Sequence, residues 1–532
     1  MPITTALRPA IPSLTGLRFV AAFTVLVGHA MHWIATIPPD YRLIGVLSQA
    51  SGLGMPLFFV LSGFVIQYNY GHYFERAMGP AFARFMIARF ARVYPLYLAL
   101  LVIYIWQLGA NFWEVDYIGR YLTLTQAWQL LYVGPTWVGH LYLPPAWSIS
   151  VEWFLYIVYA LVLVHFLRFK TVRGCLLAFA AVACVYYAMI FAAFGHSQLL
   201  NDWTAITYAA DVRPQHALYG WIFNTGPIGR CFEFMLGLLA AQVFLLQGQL
   251  AEANRRAIRW LMYGAMVIIG LIWLNPLRQD VVSFGFAYAS LSSPFIAFIL
   301  YACASVPSGF ARAMGSRPAV VLGDASYSIY LLHALVLPRF ALSAPVSAPT
   351  FDWYLQVVLG ISTALLLSLL TYRFYESPMR RLIRASLGTL WKRGFGQRAQ
   401  RPRHERHVGP AHAVLGIAFV AAFVWINRPD VVGKIEIVAA DYGANQKDTL
   451  PPAPFTNNYR PGNATLAARQ HCLHSQFDCE YNVSLIRIGG DPVAGMSKDY
   501  SVEYRCPRKD TTVRRVYVPG EAYGQPVLLS CR

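Results

Sequence analysis

Leu14-Thr15-Gly16-Leu17-Arg18-Phe19-Val20-Ala21-Ala22-Phe23-Thr24-Val25-Leu26-Val27-Gly28-His29-Ala30-Met31-His32-Trp33 is long and apolar enough to cross a bilayer, yet it carries an arginine and two histidines. Eleven residues separate Arg18 from His29. On an α-helix that is about 1100° of rotation, within roughly 20° of three turns, and about 16 Å of rise. The two side chains therefore share one face, half a membrane apart. An ionisable group in hydrocarbon costs about 2.5–3.5 kcal/mol on insertion scales, so it normally faces the protein interior and serves function. The plainer alternative is an Arg18 that snorkels to the headgroups and a His29 satisfied inside the bundle.

The remainder of the chain supports a polytopic membrane protein. Of 532 residues, 57% are hydrophobic and only 13% charged, against about 25% charged in soluble domains. A net charge of +18 would suit nucleic acid, but the positives sit in short loops between apolar runs, where they orient a membrane protein. No nucleic-acid partner is therefore expected, and the bilayer is. Eleven spans are read at about 14–34, 46–69, 93–110, 147–167, 174–194, 221–246, 260–275, 284–305, 319–338, 353–374 and 410–427. With the first residue cytoplasmic, the inner loops hold Arg76, Arg84, Arg89 and Arg92; Arg168, Lys170 and Arg173; Arg255, Arg256 and Arg259; and Arg312 and Arg317. The alternate loops hold acids such as Glu114, Asp116, Asp202 and Asp211, which puts the N-terminus inside. No cleavable signal peptide is apparent, since one basic residue precedes the first span and no clear cleavage site follows.

This gives four regions: a ten-helix domain over 1–376, a basic cytoplasmic linker over 377–409, an eleventh helix over 410–427 and an extracytoplasmic tail over 428–532. Nine Lys or Arg lie between Arg380 and Arg406, a stretch suited to anionic lipid. Cys175, Cys184, Cys231 and Cys303 fall singly in apolar segments and are read as core fillers. Cys472, Cys479, Cys506 and Cys531 fall in the polar tail, an even set that implies two disulfides in an oxidising compartment, with three connectivities open. A Pro/Gly/Asn-rich linker is read over Asp441 to Asn463, followed by alternating runs at Val483–Ile488 and Thr512–Val518 that predict strands of a small stapled domain. The fold class is thus an all-α membrane core with a β-rich, disulfide-bonded tail.

Four further motifs carry candidate chemistry. Gly54-Met55-Pro56-Leu57-Phe58-Phe59-Val60-Leu61-Ser62-Gly63-Phe64 places small residues along the second span; they serve close helix packing, or they leave room for a ligand's narrow arm. Arg89 and Arg92, at i and i+3 beside Pro95, form a fork for phosphate oxygens or anchor the helix end. Ser148 and Glu152, at i and i+4 in Trp147-Ser148-Ile149-Ser150-Val151-Glu152, share a face; the carboxylate suits the orientation of a histidine, or complements a helix dipole. Tyr327-Ser328-Ile329-Tyr330-Leu331-Leu332-His333 offers hydroxyls and an imidazole for catalysis or for bonds between helices. No metal site is read.

From Leu14 to Glu376 these motifs together resemble the acyltransferase-3 family: Arg18-x10-His29, Phe58-Phe59 with Ser62-Gly63-Phe64, Arg89-x-x-Arg92, Trp147-Ser148-x-x-x-Glu152 and Tyr327-Ser328-x-Tyr330-Leu331-x-His333. The resemblance implies ten core helices in a bacterial inner membrane. It implies acyl transfer from cytoplasmic acyl-coenzyme A, acetyl by default, to a hydroxyl of an extracytoplasmic glycan or lipid-linked saccharide. It implies His29 as the catalytic histidine, Arg18 as its companion, and Arg89 and Arg92 as coenzyme A contacts. Phe58, Phe59, Ser62 and Gly63 are expected beside the donor, and Ser148, Glu152 and His333 beside His29, which acts as base or acyl carrier. Some members end in a periplasmic hydrolase-like domain with a Gly-Asp-Ser nucleophile; here Gly490-Asp491-Pro492 has proline in the serine's place, and independent catalysis by the tail is not expected. Two other classes fit the same charges: a transporter of a glycan or small acid, and a scaffold that meets polysaccharide-assembly proteins through its tail.

Overall fold

A computed structural model describes residues 8–34, 47, 51–74, 78–107, 117–133, 136–208, 217–274, 289–340, 350–384 and 386, and in the tail 435–449, 457, 459–465, 468, 472, 478–483, 492–493, 496–506 and 512–531. These residues fall into two compact units, a helical one and one that holds the tail strands.

Ten principal helices build the first unit: α1 (Pro12–Trp33), α2 (Ser51–Tyr70), α3 (Met78–Gln107), α4 (Ala146–Val158), α5 (Val172–Gly195), α6 (Pro227–Leu246), α7 (Glu252–Leu274), α8 (Ser293–Ser305), α9 (Ser326–Val336) and α10 (Phe351–Thr371). Apolar runs of this length become helices because hydrocarbon offers no partner for an unpaired backbone group. Proline in the first turn of α1 and of α6 removes an N–H that would be unsatisfied there anyway. Among the described residues, eight helices are long and apolar enough to cross a membrane, or nine if Arg317–Asp324 and Ser326–Phe340, bent by 62°, form one span. Ser293–Ser305 is a shorter apolar helix. Each expected core span thus carries a helix, while the expected eleventh, 410–427, and most of the basic linker lie outside the described residues.

One boundary differs in a way that matters. α3 starts at Met78 rather than near 93, so Arg84, Arg89 and Arg92 lie within the helix. Search for apolar length alone misses this start, because the arginine-bearing turns are amphipathic and still helical.

Glycine lets backbones touch at several places among the described residues. A Cβ on Gly237 of α6 would stand 1.9 Å from the Val60 carbonyl oxygen of α2, and one on Gly63 would stand 2.1 Å from that of Phe234. Gly63 therefore serves the α2–α6 contact. Likewise a Cβ on Gly323 would fall 1.9 Å from Thr15 O of α1, which holds the bend before α9 against α1. Outward faces of α5, α7 and α10 leave Leu177, Leu261, Val267, Leu271, Val358 and Leu366 exposed, as a lipid-facing rim requires.

In the tail, β1 (Glu436–Tyr442), β3 (Tyr500–Arg505) and β4 (Arg514–Val518) form an antiparallel sheet in the order β1-β3-β4, and β2 (Asp478–Asn482) pairs antiparallel with β5 (Pro526–Ser530). The register sets Ala440 opposite Val502 and Cys479 opposite Leu529. Ile437, Ala440, Tyr442, Tyr500, Val502 and Leu529 close the core. Of the three connectivities, the structure has Cys472–Cys479 and Cys506–Cys531. The expected linker from Asp441 begins instead inside β1. Its polar residues bond backbone and side chain: Asn463 Oδ1 accepts from Tyr442 N at 2.8 Å, and Asp441 Oδ1 accepts from Gly462 N at 2.6 Å and from the Tyr459 hydroxyl at 2.9 Å. The strand β2 at 478–482 lies just before the expected one at Val483–Ile488, of which 484–488 lies outside the described residues.

Candidate active site

A cavity lies between α1, α2, α3, α4 and α9. Along α2 its wall runs from Met55 through Phe58, Phe59 and Ser62 to Ile66. Eleven residues of helix span about 16 Å, which sets the length of this wall. Its two ends differ chemically.

At one end stand Arg18, Arg89 and Arg92 with Tyr156, Ser326 and Tyr327. α3 is held firmly here. Pro95 inside it supplies no N–H and weakens the ladder. Tyrosines from neighbouring segments bond its carbonyls: Tyr327 donates to Val93 O at 2.6 Å and Tyr375 to Pro95 O at 3.3 Å. On another side Tyr97 donates to Tyr121 O at 2.8 Å and Tyr94 to Leu122 O at 2.9 Å. Arg89, 8% exposed, donates from Nη2 to the Tyr70 hydroxyl at 2.7 Å. Its guanidinium lies over the rings of Tyr70, Phe85 and Tyr156 at 4.8, 5.8 and 5.6 Å, while its Nε is buried without an acceptor. Guanidinium does not deprotonate in proteins. Three such groups against one carboxylate, Glu152, among the described residues that line the cavity leave this end positive and suited to an anion.

Glu152 sits midway. Its Oε1 accepts from Ser62 Oγ at 3.0 Å and, more closely, from the Tyr156 hydroxyl one turn along α4. One turn the other way, Ser148 Oγ lies 2.7 Å from the Tyr330 hydroxyl, and both reach Pro145 O, at 3.1 and 3.0 Å. Ser148, Tyr330, Phe58 and Met55 complete the far end.

Beyond Tyr330 come the histidines. His333 is fully buried, and its ring centroid is 5.9 Å from that of Tyr330, which Phe58 meets edge-on at 5.6 Å. His29 Nδ1 is 2.8 Å from His333 Nε2, with the rings nearly parallel. Two imidazole nitrogens at that distance share one proton, so one donates, the other accepts, and each fixes the other's tautomer. Uninterrupted α1 carries Arg18 at one end and His29 at the other, as the eleven-residue spacing requires.

The sequence-derived residues are thus largely brought together, with changed partners. His29 was expected to be oriented by Glu152; in the structure His333 is the partner bonded to it, and Glu152 bonds Ser62 and Tyr156. Ser62, Phe58, Phe59 and Ser148 line the cavity, whereas Gly63 faces α6. Sequence reasoning missed Tyr156, although its i+4 offset from Glu152 is readable. It also missed Glu376, which accepts from Ser328 Oγ at 2.6 Å inside the helical unit, and Tyr70, which no spacing announces.

Comparison with other proteins gives the family. The model of an acyltransferase domain matches residues 11–373. The peptidoglycan O-acetyltransferase OatA of Listeria monocytogenes is 23% identical over 387 residues, 70% of this chain and 56% of its own length. The putative peptidoglycan O-acetyltransferase YrhL of Bacillus subtilis is 24% identical over 390 residues, 70% of this chain and 55% of its own. The acyltransferase MdmB of Streptomyces mycarofaciens is 27% identical over 342 residues, 62% and 79% respectively. The chain spans about half the length of the two peptidoglycan relatives. No solved structure matches it. The match covers the whole stretch from α1 through α10 and contains both the arginines and the histidine pair, so the chain belongs to the acyltransferase-3 family of membrane acyltransferases.

Proposed function

We propose that this protein transfers an acyl group, acetyl by default, from coenzyme A on the cytoplasmic side to a hydroxyl of an extracytoplasmic glycan. The observation that carries the reading is a single cavity with three arginines at one end and the His29–His333 pair past the other. The donor's phosphates meet Arg18, Arg89 and Arg92, in the bidentate manner guanidinium favours. Its narrow arm lies along Ile66, Ser62 and Phe58, which brings the thioester toward Tyr330. His29, its tautomer held by His333, takes the proton of the sugar hydroxyl as that oxygen attacks the thioester carbonyl. The carbonyl π-electrons move to oxygen, and the Ser148 and Tyr330 hydroxyls steady the oxyanion by turning their protons to it from Pro145 O. Collapse expels the coenzyme A thiolate, which recovers the proton from His29 to leave ester and free thiol. If His29 is acylated first, the same balance holds in two steps.

Glycan acceptance rests on the two peptidoglycan O-acetyltransferases among its relatives. Placement in the cytoplasmic membrane with the N-terminus inside and residues 428–532 outside rests on the arginine-rich alternate loops and on the tail disulfides. After reduction, an impermeant thiol reagent should label Cys472, Cys479, Cys506 and Cys531 on intact spheroplasts; labelling only after lysis would reverse the orientation. Transfer is tested with inside-out vesicles and acetyl-labelled coenzyme A. Alkali-labile label in glycan is the expected result, and uptake of an unmodified solute without ester formation would favour transport instead.

A further inference from the structure

Outside the cavity, α6 carries a second charge group that the transfer chemistry does not use. Arg230 and Glu233 are 1% and 0% exposed and form a bidentate pair, with Arg230 Nη1 at 2.9 and 2.8 Å from the two carboxylate oxygens. Arg230 also donates from Nε to Asn224 O and from Nη2 to Asn224 Oδ1, both at 2.9 Å. Glu233 Oε1 further accepts from Tyr186, Ser290 and Ser293 at 3.3, 3.4 and 3.3 Å. A cation in the first turn of a helix opposes the helix dipole, and a buried ion pair is weak evidence for stability. Neither consideration explains Arg230. Its neighbours do: the guanidinium stands 5.2 Å from the ring centroid of Phe59 and 6.0 Å from that of Trp147. Phe59 lines the cavity, and Trp147 directly precedes Ser148, which lines it too.

We propose that Arg230, fixed by Glu233 and Asn224, is a positioning residue for acyl transfer, a charged plate that sets Phe59 and the Trp147–Ser148 turn against the far end of the cavity. The role rests on the acyl-transfer reading. It concerns the hydroxyl end, so donor affinity at the arginine end is independent of it. Displacement of a reacting group by about 1 Å costs up to about 100-fold in rate, and that is the scale expected.

The test uses the full chain in inside-out vesicles with labelled acetyl-coenzyme A. Arg230→Lys keeps the charge and loses the planar plate. It should insert at the wild-type level, keep the donor KM within about twofold and lower kcat about 10–100-fold. Trp147→Phe leaves the ion pair whole and should lower kcat in the same manner; it carries the test alone if the lysine variant fails to insert. A normal kcat in either inserted variant, or a donor KM that rises in step with the loss, overturns the positioning role while leaving acyl transfer standing. A wild-type protein that transfers no label overturns acyl transfer and the positioning role with it.

Discussion

Arg230 and Arg89 are both buried guanidinium groups in the helical unit, 1% and 8% exposed, yet they have opposite company. Arg230 makes four hydrogen bonds, two to a carboxylate and two to Asn224. Arg89 makes one, to the neutral hydroxyl of Tyr70, and leaves its Nε buried without an acceptor. Since the cost of a buried charge falls only when a counter-charge and hydrogen bonds compensate it, the two sites divide the work. The group around Glu233 is closed, its charges bonded to one another. The one beside Arg18 and Arg92 is open, with no carboxylate bonded to Arg89 among the described residues.

This contrast can be broken experimentally. The largest effect is expected at the histidine pair beyond the far end of the cavity. His333→Ala should lower transfer by about 10²–10⁴, the range for loss of acid–base help, with donor affinity kept; turnover in vesicles measures the first and titration with acetyl-coenzyme A the second. The sequence leaves His333 open between catalysis and bonds between helices, with a mild effect expected if it mainly packs; its direct bond to His29 is the reason for expecting the larger loss.

Next comes the closed group. Glu233→Ala leaves Arg230 charged and unpaired, and should destabilise the folded protein by about 3–5 kcal/mol, read as a lower thermal midpoint in detergent. Arg89→Ala should leave that midpoint unmoved. Equal midpoints for both variants would erase the distinction between closed and open charge.

The smallest effect sharpens the open end. Arg89→Ala should raise the donor KM about tenfold, the scale of one charge-assisted hydrogen bond. Arg89→Lys should recover only part of this, because a point charge lacks the guanidinium fork. Full recovery with lysine would mean that charge alone is read.

Much of the fold was legible because lipid imposes internal hydrogen bonding on every apolar run, so helix number and order follow from composition. The Arg18–His29 pair was legible for the same reason, since eleven residues of one helix fix their separation. The His29–His333 bond was not: 304 residues lie between the partners, and only packing of α9 on α1 joins them. Arg230 and Glu233 stood in plain i, i+3 spacing but were absorbed into an apolar span. In the tail, Asp441 and Asn463 disguised the end of a strand as a linker, because the same side chains that make turns also satisfy backbone groups beside a sheet.

Donor binding is proposed at the arginine end of the cavity, and acyl transfer at the histidine pair beyond its other end. Titration of acetyl-coenzyme A into inserted His29→Ala protein, with transfer measured on the same sample, tests this separation most directly. The predicted result is wild-type donor affinity with transfer abolished. Transfer at the wild-type rate would contradict the mechanism, and loss of donor affinity would contradict the separation of the two ends.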